Sequence, residues 1–113
     1  MLNERWLKEF SGAVTVTDLE GRIIYLNEKA AQVFAREGGL KLLGKNIFDC
    51  HKRESQEKIR RIIKEKTPNV YTIEKEGIKK LIYQTPWKVH GQVRGLVELS
   101  LEIPFELPHF VRD

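Results

Sequence analysis

The cleanest alternation of apolar and polar positions in this chain runs through residues 92–103. Val93, Gly95, Val97, Leu99, Leu101 and Ile103 alternate there with Arg94, Leu96, Glu98, Ser100 and Glu102. A period of two is the mark of a strand with one buried face. The pattern therefore predicts a strand whose Val/Leu/Ile face lines the core, or a pocket if the core holds one. Residues 78–89 read as the strand before it, with Leu81, Tyr83, Thr85 and Trp87 on one face. Residues 70–75 read as a third strand, and Glu76-Gly77 and His90-Gly91 as the turns between the three. Pro86 has no N–H to give a ladder, which predicts an edge or a bulge at that point.

The first half of the chain carries shorter elements. Two β-branched runs, 13–17 and 22–26, flank Asp18-Leu19-Glu20-Gly21. Asp first and Gly last suit a type I turn, so these runs predict a hairpin. Asn27 follows as an N-cap, because its side-chain oxygen can accept from an orphan N–H of a first helical turn. The helix it opens, 28–36, has Ala30, Ala31, Val33 and Phe34 on its apolar side and ends at Gly38-Gly39. Leu40, Leu42 and Leu43, then Ile47, Phe48 and Cys50, mark two brief apolar turns. Residues 53–66 give the clearest helix. Ile59, Ile62 and Ile63 form one stripe on a charged cylinder, and Thr67-Pro68-Asn69 stops it. Near the start, Leu2, Trp6, Leu7 and Phe10 recur at helical spacing over 3–10. That short helix packs on its own domain, contacts a second copy, or does both.

The hairpin, the Asn cap and the short Ala/Phe helix together resemble the opening of a PAS domain. TDLEGRIIYLNEKAAQVF at 17–34 is similar to that family's usual start, and LLGKNIFD at 42–49 to its next landmark. The likeness runs to about Ile103. It implies an α+β, PAS-like fold: a five-stranded antiparallel sheet with short helices on one face, cupping a small-molecule pocket. On this reading residues 1–11 are an N-terminal helix, 12–103 the PAS-like domain and 104–113 a C-terminal tail. The implied function is a sensory or regulatory module that binds a small molecule or cofactor and signals through protein association. The alternative is a protein-interaction module with a filled core and no ligand. The tail departs from the family pattern. Leu101-Glu102-Ile103-Pro104 stands where many PAS domains carry an Asp-Ile-Thr-like turn into an effector. Taken as a whole protein, the chain would have no covalent output domain.

Composition narrows the picture only modestly. A chain of 113 residues is one domain. The hydrophobic 41% and charged 32% are ordinary for a soluble protein. No apolar run is long enough to span a membrane, and residues 1–6 lack the order of a signal peptide, so a cytoplasmic location is expected. The net charge of +4 gives a weak pull toward anions. No nucleic-acid-binding motif is present. The basic residues of 53–66 are interrupted by Glu54, Glu57 and Glu65, which reads as a solvated face. A single cysteine, Cys50, rules out an intrachain disulfide and a Cys-rich metal site.

Candidate chemistry is sparse. The chain has no P-loop, no dinucleotide fingerprint and no nucleophile elbow. Only three histidines are available, so no catalytic residue is assigned and the chain is read as a non-enzyme. Cys50-His51 is the one suggestive pair. Some PAS sensors hold haem through a helix histidine, and His51 lies near that place. The preferred reading is plainer, with Cys50 a small buried hydrophobe and His51 a helix-flanking residue. A flavin photoadduct does not fit, because Cys50 lies four residues after Asn46 rather than directly after it. The candidate ligand-pocket residues are His51, Cys50, Tyr83, Phe48 and Tyr71, with further walls from Tyr25, Phe34, Ile63, Val97 and Leu99. A homodimer is expected through Trp6, Phe10 and the tail near Phe105 and Phe110, because aromatic residues are enriched at interfaces.

Overall fold

The computed structural model describes residues 5–47 and 53–113. Its elements in chain order are helix α1 (Arg5–Lys8), strands β1 (Ala13–Asp18) and β2 (Ile23–Leu26), helix α2 (Glu28–Val33), two 3-10 turns (Ala35–Glu37 and Gly39–Leu42), helix α3 (Arg53–Glu65), and strands β3 (Asn69–Lys75), β4 (Ile78–Val89) and β5 (Gln92–Ile103). The five strands form one antiparallel sheet in the order β2-β1-β5-β4-β3. The last strand thus lies at the centre and joins the N-terminal hairpin to the C-terminal meander.

Local chemistry explains each boundary. Asp18 closes the first hairpin. Its Oδ1 accepts from the N–H groups of Glu20 and Arg22, each at 2.9 Å, while Gly21 N–H donates to the Asp18 carbonyl at 3.1 Å. Asn27, 1% exposed, is used in full. Its Oδ1 accepts from Ala30 N–H at 2.9 Å, which caps α2, and from Val14 N–H at 3.0 Å. Its Nδ2 donates to the carbonyls of Gly12 at 2.9 Å and Leu7 at 3.0 Å. One buried amide therefore ties α1, β1 and α2 together, with both donors and both acceptor sites satisfied. Helix α2 is shorter than the predicted 28–36, because the chain tightens into a 3-10 turn after Phe34.

The register sorts the side chains into two faces. Thr15, Glu98, Gln84 and Asn69 pair in one cross-strand row, and Val14, Leu99, Tyr83 and Val70 in the next. Successive residues of a strand point to opposite faces, so these rows look in opposite directions. Ala13 and Leu96, on the first face, belong to the buried core with Ile23, Leu26, Ala30, Ile47, Ile59 and Ile62. This inner face therefore lies under the helices.

That assignment corrects the expectation for β5. The inward side of its alternation is Leu96, Glu98, Ser100 and Glu102, and the apolar set Val97, Leu99, Leu101 and Ile103 lies on the outer face, half-buried. The reason is register: Thr15 and Ala13 pair with Glu98 and Ser100, so the even-numbered residues share the helix-facing side. Pro86 obeys its constraint locally. The β3 ladder ends at Gln84, so from there β4 pairs on one side only, and a register shift follows at Trp87/Lys88.

Candidate functional site

A cavity of about 270 Å³ opens between the inner sheet face and the short helical turns. Its described walls are Thr15, Ile23, Leu26, Phe34, Glu37, Leu42, Ile47 and Glu98. The sheet supplies the floor: Thr15 from β1, Glu98 from β5, and Ile23 and Leu26 from β2. Phe34 at the end of α2, Glu37 in the following turn and Leu42 in the next supply the roof. Ile47 closes one side, held by its N–H donating to the Gly21 carbonyl at 2.8 Å. The same segment covers the free edge of β2, with Ile23 N–H donating to the Lys45 carbonyl and Gly44 N–H to the Ile23 carbonyl, both at 2.8 Å. The LLGKNI stretch thus both shields an edge strand and walls the cavity.

The inner face beyond the cavity is also polar. Asn69 Nδ2 donates to Gln84 Oε1 at 2.9 Å, continuing the row of Thr15 and Glu98. Tyr71 lies on the same face, with Lys58 of α3 5.3 Å from its ring centroid. Burial pushes the Tyr71 phenol above its ordinary value, and the negative charge of Glu98 pushes it further the same way. A partly buried phenol and a carboxylate within electrostatic reach of each other set this face apart from a plain hydrophobic core.

The predicted site residues separate cleanly. Phe34 lines the cavity, and Ile63 packs against the adjacent core. Tyr71 shares the inner face but is not a described wall. Tyr83 is moved to the outer face by its pairing with Leu99 and Val70, and Val97, Leu99 and Tyr25 lie on that face too. Phe48, Cys50 and His51 fall outside the described residues, as does any haem ligation by His51. Sequence reasoning missed Glu98, Thr15 and Glu37. The signal for Glu98 was present: it is the charged residue nearest the middle of the most regular strand.

Exposed apolar surface is concentrated elsewhere. Trp6 and Phe10 of the N-terminal segment meet edge to face, 5.9 Å between centroids and 84° between planes. Phe10 and Leu101 both lie against Gly12, where an added Cβ would collide with Leu101. In the tail, Phe105, Leu107, Phe110 and Val111 are all more than half exposed. Among the described residues no helix is long and apolar enough to cross a membrane.

Solved structures share this architecture. The Aer2 receptor of Vibrio cholerae, a dual PAS-heme oxygen sensor, aligns at a TM-score of 0.64 and 24% identity, over 82% of this chain and 95% of that one. The PAS domain of histidine kinase ThkA aligns at 0.64 and 19%, over 79% and 96%. The VqmA dimer of Vibrio cholerae aligns at 0.71 and 15%, over 93% of this chain and 54% of VqmA. At these identities the likeness is one of fold. No curated protein gives a significant match. A family model described as "PAS domain" matches residues 11–91, most of the chain, and together with the five-stranded sheet and its inner-face cavity this places the chain in the PAS domain family.

Proposed function

We propose that this PAS domain is a cytoplasmic, non-enzymatic sensory module that binds a small molecule in the inner-face cavity and signals by associating with a second copy of itself. The cavity carries the reading. It is concave, mostly apolar, and has few polar groups at defined positions, which is the usual make-up of a small-molecule site. The heme-sensing Aer2 receptor and the ThkA kinase domain lend the sensory part support as relatives in fold. Mass spectrometry and an absorbance spectrum of the purified protein test it. The expected result is a stoichiometric bound small molecule; a ligand-free protein would favour the pure interaction module instead.

Association is supported by surface. Trp6, Phe10, Phe105 and Phe110 are exposed, and aromatic residues are enriched at interfaces. The outer sheet face adds the half-buried Val97, Leu99, Leu101 and Ile103 beside them. Sedimentation is expected to show a dimer, dissociated by Leu99→Glu combined with Leu101→Glu. A monomer at high micromolar concentration overturns the homodimer.

A further inference from the structure

We infer that the C-terminal tail of one copy adds as an extra antiparallel strand to the free β3 edge of a second copy, with Glu106 of the tail against Lys75 of the edge. The inference rests on the homodimer reading and adds where the copies meet.

The two edges of the sheet differ. Gly44 and Lys45 bond to Ile23 and close the β2 edge. Among the described residues no backbone group bonds to the outer edge of β3. That strand is seven residues long, pairs with β4 without a register shift and holds no proline. Its lysine stands at the last position, and Val70, Tyr71 and Ile73 are exposed. An apolar edge without such guards is a template for another strand. The β3–β4 turn tells which groups the edge offers. Glu76 and Gly77 both have positive φ, 53° and 79°, the signature of a two-residue type I′ turn. Such a turn bonds Ile78 N–H to the Lys75 carbonyl. Lys75, Ile73, Tyr71 and Asn69 therefore bond toward β4, while Val70, Thr72 and Glu74 point N–H and C=O outward.

The tail has the chemistry of a strand that pairs on one side. Phe105, Leu107, Phe110 and Val111 are more than half exposed, so their own domain leaves them uncovered. Pro104 and Pro108 lie four apart. Both missing N–H groups fall on one edge of an extended tail, and Leu107, His109 and Val111 keep theirs on the other. Those three match Glu74, Thr72 and Val70 as hydrogen-bonded pairs. The same register sets Glu106 opposite Lys75, Phe110 opposite Tyr71 and Val111 opposite Val70. Opposite-charge and aromatic pairs are the cross-strand pairs that stabilise a sheet.

A tail cannot reach this register on its own chain. Ile103 ends β5 opposite Lys79, which faces Glu74 of β3. A strand added beyond β3 lies three strand spacings from β5, about 14 Å. Glu106 is the third residue after Ile103, and three residues span at most about 11 Å. In its own chain the tail instead starts beside β4, where Lys79 Nζ donates to the Phe105 carbonyl at 3.2 Å. The edge is therefore filled by a second copy.

Sedimentation of the full chain tests it. Reciprocal exchange places the charge pair twice in each dimer, so Lys75→Glu and Glu106→Lys are each expected to weaken the dimer about tenfold. Mixing the two variants in equal amounts is expected to restore the parent affinity, because each tail then meets an edge of opposite charge. A pairing within one chain gains nothing from mixing. Thr72→Pro removes an outward N–H and no bond to β4, so it is expected to weaken the dimer with the domain still folded by circular dichroism; if it does not fold, the charge variants decide. A dimer that ignores both charge variants, one that mixing does not restore, or a folded Thr72→Pro chain that dimerises like the parent overturns the tail exchange and leaves the homodimer standing. A parent monomer at high micromolar concentration overturns both.

Discussion

The inner face of the sheet, covered by helices, carries Thr15, Glu98, Gln84 and Asn69 in one cross-strand row; the outer face carries Val14, Leu99, Tyr83 and Val70 in the next. In a simple two-layer domain the covered face would be the apolar one. Here the buried apolar side chains of that face, among them Ala13, Ile82 and Leu96, lie on both sides of the Thr15–Glu98 row. The row between them is polar, and the cavity opens beside it. The outer face has β-branched and aromatic residues that remain half-exposed. The difference teaches that the two faces differ in chemistry; on the proposed function the inner one would meet a small molecule and the outer one a second copy of the chain.

The sharpest way to break this division is to disturb the place where the outer face is stitched across three strands. Trp87 of β4 reaches over Gly95 of β5, and its Nε1 donates to the Thr17 carbonyl of β1 at 2.8 Å. A Cβ at Gly95 would lie 2.6 Å from that Nε1 and closer still to the Thr17 carbonyl oxygen. Gly95→Ala is expected to destabilise the fold by about 4 kcal/mol, from overpacking against backbone and loss of the indole hydrogen bond. Trp87→Phe, which loses the bond without the collision, is expected to cost about 1 kcal/mol. Urea unfolding measures both. A Gly95→Ala domain as stable as the parent would mean the strands can separate here at no cost.

The next contrast compares residues of similar chemistry on opposite sides. Ile59 is 4% exposed and packs in the inner core. Ile59→Ala is expected to cost about 3 kcal/mol at every protein concentration. Leu99 is only half-buried, so Leu99→Ala is expected to cost about 1 kcal/mol in dilute protein. If the outer face is an interface, the Leu99→Ala penalty grows with protein concentration, because the parent gains stability from dimerisation and the variant gains less. A Leu99→Ala penalty independent of concentration would remove the outer face as the site of association.

Much of this was legible in the sequence. The hairpin at Asp18–Gly21, the Asn27 cap, the Ile59/Ile62 stripe and strands β4 and β5 all follow from local rules, and the structure has them where those rules put them. Assigning faces was harder. Periodicity shows that residues 93–103 have two sides; it does not say which side the helices cover. That depends on the pairing of Ala13 with Ser100, a contact between the two ends of the chain. The candidate site inherited the same ambiguity. Tyr83, Val97 and Leu99 were chosen because they are apolar and alternate, and all three lie on the far face. Glu98 was passed over because a charge in mid-strand reads as solvent-facing. The double role of Asn27 was half visible: its cap is local, but its bonds to Leu7 and Gly12 are made only once the fold closes.

The smallest effect expected is also the most direct probe of the inner face. Tyr71 titrates above its ordinary value of 10.0, first because it is partly buried and second because Glu98 is negative. A phenol whose folded value is raised holds its proton longer than in the unfolded chain. Its contribution to stability is complete below the unfolded value and is lost as pH rises through the folded one. Stability is therefore expected to fall more steeply above pH 10 in the parent than in Tyr71→Phe. The chain has three tyrosines, so subtracting the tyrosinate absorbance of Tyr71→Phe isolates this group. Glu98→Gln removes the second cause and leaves the first, so the Tyr71 midpoint should drop part of the way toward 10.0 and stop above it. Leu99→Gln, one residue along β5 but on the outer face, should leave the midpoint where it is. A midpoint that ignores Glu98→Gln would mean that the Glu98 charge does not act along the inner face, and the contrast between the two faces would then rest on shape alone.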